Sequence, residues 1–199
     1  MVPIVAAIQT PPAELGAWEF SAFVGLSKTP QEPSLPAGLS GRIAMMRIAS
    51  SSTAFGLELG YLSLGQSTNT AVFPPFGPLP DTTIVHSSSD ERGIYLQGLF
   101  QWRPTLLGVR TVLTAGGGVQ FRKSLFSTTQ STTSGMVIRT REQNFQGAGP
   151  SATVGVGAQL VQISRSAGLR IEGRLYGAII SSGSALTFAS LTIGIWYRQ

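Results

Sequence analysis

No cysteine occurs in the sequence, so disulfides, thiolate catalysis and cysteine-held metal sites are excluded. Histidine occurs once, as His86. Only 12% of the residues are charged, about half the share of an ordinary soluble domain. No window reaches about 18 uninterrupted apolar residues, which excludes a transmembrane helix; candidates such as Gly177–Ile180 are broken by Ser and Gly within a few positions. The formal charge of +5 is scattered, with no basic run longer than Arg122-Lys123, so no nucleic-acid partner is expected. Met1–Thr10 carries an apolar stretch, Val2–Ile8, with no basic segment before it, and is incomplete as a signal peptide. Either a signal was removed and Met1 added, or the natural start lies upstream.

What is present points to β-structure. Hydrophobic residues make up 42% of the chain, with 24 Gly and abundant Ser and Thr, a mixture suited to strands and turns. With so few charges, the apolar surface must be hidden in a core or shown to lipid. In a membrane the second choice requires a closed barrel, because only helices and barrels satisfy every backbone group there.

Two-residue alternation recurs along the chain. Trp18–Lys28 sets Trp18, Phe20, Ala22, Val24 and Leu26 against Glu19, Ser21, Phe23, Gly25 and Ser27. Phe55–Leu64 opposes Phe55, Leu57, Leu59 and Tyr61 to Gly56, Glu58 and Gly60, and Gly93–Arg103 opposes Ile94, Leu96, Phe100 and Trp102 to Tyr95, Gln97, Gln101 and Arg103. Val109–Arg122, Ser151–Ile163, Leu169–Ile180 and about Leu186–Arg198 repeat the pattern, while Gly41–Ser50 is a strand of unclear parity. Eight strands result, each about ten residues or longer, as crossing a bilayer at a tilt requires (about 9–11).

The connections divide by length. Ser50–Thr53, Pro104–Gly108 and Ser164–Gly168 are short; Thr29–Ser40, Gly65–Arg92 and Lys123–Pro150 are long; Ser181–Ala185 is the exception, short where a long one is due. This alternation matches short periplasmic turns and long outer loops. Trp18, Phe55, Trp102 and Tyr197 fall at the short-turn end on the apolar face, as an interfacial girdle, and Phe121 at the other end. A soluble sandwich or lipocalin-like barrel also alternates, but turns a Lys- and Glu-rich face outward. Here the polar face is Gly, Ser, Thr and Gln with sparse Arg and Glu, as a narrow packed lumen needs. The expected fold is an all-β, eight-stranded antiparallel up-and-down transmembrane barrel over residues 18–199, preceded by an N-terminal extension, 1–17.

The last strand, Leu191-Thr192-Ile193-Gly194-Ile195-Trp196-Tyr197-Arg198-Gln199, resembles the targeting signal of bacterial outer-membrane barrels. Thr192, Gly194 and Tyr197 match its polar, glycine and aromatic positions, and Gln199 stands where Phe or Trp is usual. With the eight-strand layout, the chain resembles the small outer-membrane barrel superfamily over about Trp18–Gln199. The resemblance implies the bacterial outer membrane, the barrel-assembly machinery, and contact with membrane lipid and lipopolysaccharide; self-association or another envelope partner is also open.

Several candidate sites follow. Glu19, Glu58 and Glu172 project to the expected lumen, as do Arg110, Arg170 and Arg174. Sealed charges must pair or stay hydrated, so an interior ion-pair network is expected, acting as a plug or as a gate on a narrow ion path. Lys28, Arg92, Arg122, Lys123, Arg139 and Arg141 map to the outer rim and loops, where they suit lipopolysaccharide phosphates or are ordinary loop charge. His86 with Ser88 and Glu91 is similar in residue type to the lipid A deacylases, eight-stranded outer-membrane enzymes using His, Ser and Glu. The flanking residues and the Glu91 spacing depart from that family. The glycines of Ala115–Gly118 and Gly155–Gly157 lack the helix and Lys of a phosphate loop and read as close-packed strand glycines; no cofactor is expected. The apolar segment Val72–Pro80 reads as a loop over the mouth or a partner site. The functional readings are a structural or interaction barrel with a filled lumen, a narrow porin-like channel, and a lipid-modifying enzyme.

Overall fold

The computed structural model describes residues 15–29, 36–75, 82–106, 108–179 and 185–199. The strands are β1 (Trp18–Lys28), β2 (Gly38–Ile48), β3 (Thr53–Phe73), β4 (Thr83–Trp102), β5 (Thr105–Leu106), β6 (Val109–Thr132), β7 (Val137–Ser164), β8 (Ala167–Ile179) and β9 (Ala185–Arg198). Their order is β4-β3-β2-β1-β9-β8-β7-β6, and β4 pairs with β6 to close the ring. The closing ladder runs from Thr83↔Thr132 to Trp102↔Leu113. β5 pairs only Thr105 with Arg110 and Leu106 with Val109, as one arm of a turn. Eight antiparallel strands thus form the barrel.

The alternation decides which way each face points. On β1, Val24 is 67% exposed, whereas Glu19 on the other parity is fully buried. Register links the outward residues of adjacent strands into rows: Val119, Leu96, Leu59, Ile43, Ala22 and Ile195 lie side by side. So continuous an apolar surface cannot be left in water; hydrocarbon solvates it at no cost. β1 has 11 residues, which at about 3.3 Å each and a tilt near 40° rise about 25 Å, the height of a lipid-facing band. Trp18, Phe55, Trp102 and Tyr197 are exposed at its short-turn edge, where Arg47 lies 5.9 Å over the Trp18 ring.

Strand β2 is Gly38–Ile48, shifted from the expected Gly41–Ser50. Its inward side carries Arg42 together with Ala44, Met46 and Ile48. The last two pack with Ala54 and Leu99 inside the barrel, so both faces are largely apolar and parity is hidden in the sequence. The chain enters β1 tied to this strand: the Gly16 N–H donates to the Ile48 carbonyl, and the Ile48 N–H to that of Ala17, both at 2.9 Å. Residues 1–14 of the expected extension lie outside the described residues.

The expected loops Gly65–Arg92 and Lys123–Pro150 are corrected. Most of their length is strand: β3 and β4 stay paired out to Phe73↔Thr83, and β6 and β7 out to Ser131↔Val137. Above the membrane both faces are wet, so alternation disappears, but Thr-rich segments still favour extended backbone. Val72 and Phe73 therefore end β3 rather than begin a loop, and 76–80 lie outside the described residues. The four long strands form an outer sheet on one side of the barrel. β2 leaves β3 at Leu62, and β8 leaves β7 at Ser151, so this sheet has two free edges. Pro150 sits on β7 just beyond the last β8 pair, at an edge where a missing N–H is tolerated. The connection Ser181–Ala185 falls largely outside the described residues.

Candidate functional site

The inward parity of six strands converges on one charged cluster. Near the short-turn end, Glu19 of β1 accepts two hydrogen bonds from Arg103, each 2.8 Å, and one each from Arg170 of β8 and Arg198 of β9, both 3.0 Å. Arg103 follows β4 and also donates to Gln101, at 2.7 Å. Arg170 reaches Glu172 at 3.4 Å, linking this layer to the next.

In that next layer Glu172 is held by Arg42 at 2.7 Å and by Arg174 at 2.8 Å. The same two arginines hold Glu58, at 3.3 and 2.7 Å. Tyr95 donates to Glu58 at 3.2 Å, and its hydroxyl lies 3.1 Å from that of Tyr176. Tyr176 stacks on Phe188 with ring centres 4.7 Å apart, and Leu62 completes this apolar cap. Arg42 also lies 4.1 Å over the Phe23 ring. Glycine makes room for the cluster: a Cβ on Gly155 would lie 2.5 Å from Arg174 Cγ, and one on Gly157 the same distance from Glu172 Cγ.

Charges this deeply buried are stable only when paired on every side, since desolvation costs several kcal/mol per ion and roughly offsets the attraction. The carboxylates meet that condition by sharing, each serving at least two guanidiniums. The chain of contacts runs unbroken from Arg198 through Glu19, Arg170, Glu172, Arg42 and Glu58 to Tyr95.

Of the six residues expected in the lumen, Glu19, Glu58, Arg170, Glu172 and Arg174 meet in this cluster. Arg110 does not, which is a correction. It starts β6 beside the β5 turn, half-buried, and makes no ion pair among the described residues. Three members were missed. Arg42 lay on the strand of unclear parity, Arg103 precedes Pro104 and read as a strand end, and Arg198 stands next to the last residue. The signal that finds Arg103 is its shared parity with Tyr95, Gln97 and Gln101.

The rim residues divide. Lys28 at the end of β1, and Arg92 and Lys123 mid-way along β4 and β6 where the outer sheet begins, are exposed on the outward parity. Arg92 and Lys123 are paired in register and stand one step beyond Tyr61, Ile94 and Phe121, with which they line a groove. Arg92 also donates to Asp90 at 3.2 Å. The other three are corrected. Arg122 has inward parity and pairs with Glu91. Arg139 and Arg141 sit opposite Gln130 and Thr128, on the face of the outer sheet that continues the lumen wall. Five to seven residues past Lys123, they stand about 15–25 Å beyond the rim along the strand.

His86 lies mid-way along the outer sheet, its Nδ1 2.9 Å from Thr70 Oγ1. Ser88 shares its face, but Glu91 has the opposite parity and is taken by Arg122, so the three are not brought together. In β9, Thr192 is buried and donates to the Glu172 carbonyl at 3.2 Å, Gly194 packs under the Phe23 ring, and Tyr197 faces outward.

No protein-family model matches the chain, and no curated protein matches it. Among solved structures it is similar to Ail, the attachment invasion locus protein of Yersinia pestis, with 9% sequence identity over 94% of this chain and 100% of that one, TM-score 0.49. It is also similar to a major outer membrane protein from Thermus thermophilus, with 14% identity over 92% and 100%, TM-score 0.45. Neisserial surface protein A gives 11% identity over 91% and 95%, TM-score 0.37.

Proposed function

We propose that the chain is an outer-membrane barrel of the bacterial envelope with a closed lumen, serving to hold its outer sheet above the membrane surface as an interaction element. The observation that carries this reading is the unbroken ion-pair cluster, which ties β1, β2, β3, β8 and β9 to the end of β4 across the interior. An eight-stranded interior is only just wide enough for side chains, and here they are locked to one another, capped by Tyr95, Tyr176 and Phe188. Short turns belong on the periplasmic side of such barrels, so the Glu19 layer faces the periplasm and the outer sheet lies outside the cell. Lys28, Arg92 and Lys123 then stand at the height of lipopolysaccharide phosphates, which suit charge-assisted hydrogen bonds. Thr192, Gly194 and Tyr197 serve in β9 as the strand offered to the barrel-assembly machinery.

Reconstitution in planar bilayers tests the closed lumen. The expected record is flat, with no steady unitary current in potassium chloride at either polarity. Reproducible open channels from the unaltered chain would favour the porin-like reading instead.

A further inference from the structure

The Glu19 layer holds more positive charge than its carboxylate can satisfy. Glu19 already accepts four hydrogen bonds, from Arg103, Arg170 and Arg198, and a carboxylate has about four acceptor sites. The Nε–H groups of all three arginines find no protein acceptor among the described residues, nor does the buried indole Nε1–H of Trp196. Arg198 lies 5.2 Å over the Trp196 ring, so this donor belongs to the same corner. Arg110 is within electrostatic range of Glu19, Arg170 and Arg198, and it adds a fourth guanidinium without a carboxylate of its own.

The other described side-chain carboxylates are engaged or distant. Glu172 and Glu58 are shared by Arg42 and Arg174 in the layer above. Asp90 and Glu91 pair with Arg92 and Arg122 at the opposite end of the barrel. Buried cations without counter-charge are costly, and a guanidinium fork matches two oxygens of an oxyanion better than it matches a spherical ion. Arg110 and Arg198 are partly exposed, so the corner is reached from the short-turn mouth.

We propose that this mouth binds one small oxyanion of the phosphate or sulfate class, held by Arg110 and Arg198 at the opening and by Arg103, Arg170 and Trp196 beneath. The site is independent of whether the lumen conducts. It gives the short-turn end a chemical specificity that the lipid-facing wall lacks.

The probe is inorganic phosphate, added to the full chain folded in an uncharged maltoside detergent, with sodium chloride holding ionic strength constant. The expected result is a saturable rise in the thermal midpoint with phosphate and with sulfate. Arg110→Gln and Arg198→Gln should each weaken it about tenfold, the loss of one charge-assisted contact. Arg47→Gln, at the same end but outside the lumen, should leave it unchanged. Because Arg110 makes no ion pair among the described residues, its variant should fold whatever Arg198→Gln does. An unsaturable drift that Arg110→Gln leaves intact overturns the proposal.

Discussion

Glu19 takes hydrogen bonds from arginines that follow or belong to β4, β8 and β9, so one carboxylate joins strands far apart in sequence. Removing its charge leaves Arg103 and Arg198 with no carboxylate partner among the described residues, and Arg170 with only Glu172 at 3.4 Å. Glu19→Gln should therefore lower unfolding stability by about 3–5 kcal/mol, the usual penalty for breaking a buried pair on one side. The midpoint of urea unfolding in lipid vesicles measures this, and a loss under about 1 kcal/mol would mean water reaches the site freely. At this scale, parity was the informative signal. It put Glu19, Glu58, Arg170, Glu172 and Arg174 on one side of their strands, because a strand's side chains alternate without exception between bulges. Parity says nothing of height, however. Arg110 has the right side but stands at the mouth, out of ion-pairing reach of Glu19, and Arg122 has an inward face but a partner at the rim. Arg42 escaped notice because Met46 and Ile48 make the inside of β2 as apolar as its outside.

The strands show where alternation stops being a guide. Within the membrane each strand separates two solvents, hydrocarbon and lumen, and its sequence records the difference. Beyond Ser63 and Lys123 both sides meet water, so the Ser- and Thr-rich runs of β3, β4, β6 and β7 carry no period even though they remain paired. Length read from alternation is thus the membrane-spanning length, not the strand length. The outer sheet buries little, its residues being mostly exposed or half-exposed, and so it should be dispensable to folding. Replacing Ser67–Ser89 and Phe126–Gln143 each by a two-residue turn should leave a barrel that still migrates in its compact form on unheated gels and shifts on boiling. Failure to fold would show that the outer hairpins nucleate the β3–β4 and β6–β7 pairs, as local hairpins sometimes do.

The molecule as a whole is a solvent boundary, and two substitutions of equal chemistry measure it. Ile193 is 48% exposed on the outward face of β9, between Val24 and Ile171. Val72 is 63% exposed on β3, in the outer sheet. Were the chain soluble, Lys at either position would change stability by only about 0.5 kcal/mol, as exposed substitutions do. With lipid around the barrel, Ile193→Lys places a charge near mid-bilayer at a cost of about 2–4 kcal/mol, while Val72→Lys stays in water and remains near neutral. Unfolding in lipid vesicles should separate the two by at least about 2 kcal/mol, despite Val72 being the more exposed of the pair. The same comparison in detergent should narrow, because a micelle lets a long cationic side chain reach water more easily than a bilayer does. Equal, small effects in the vesicles would place both residues in water, and the apolar belt would then need a protein partner instead of lipid to cover it.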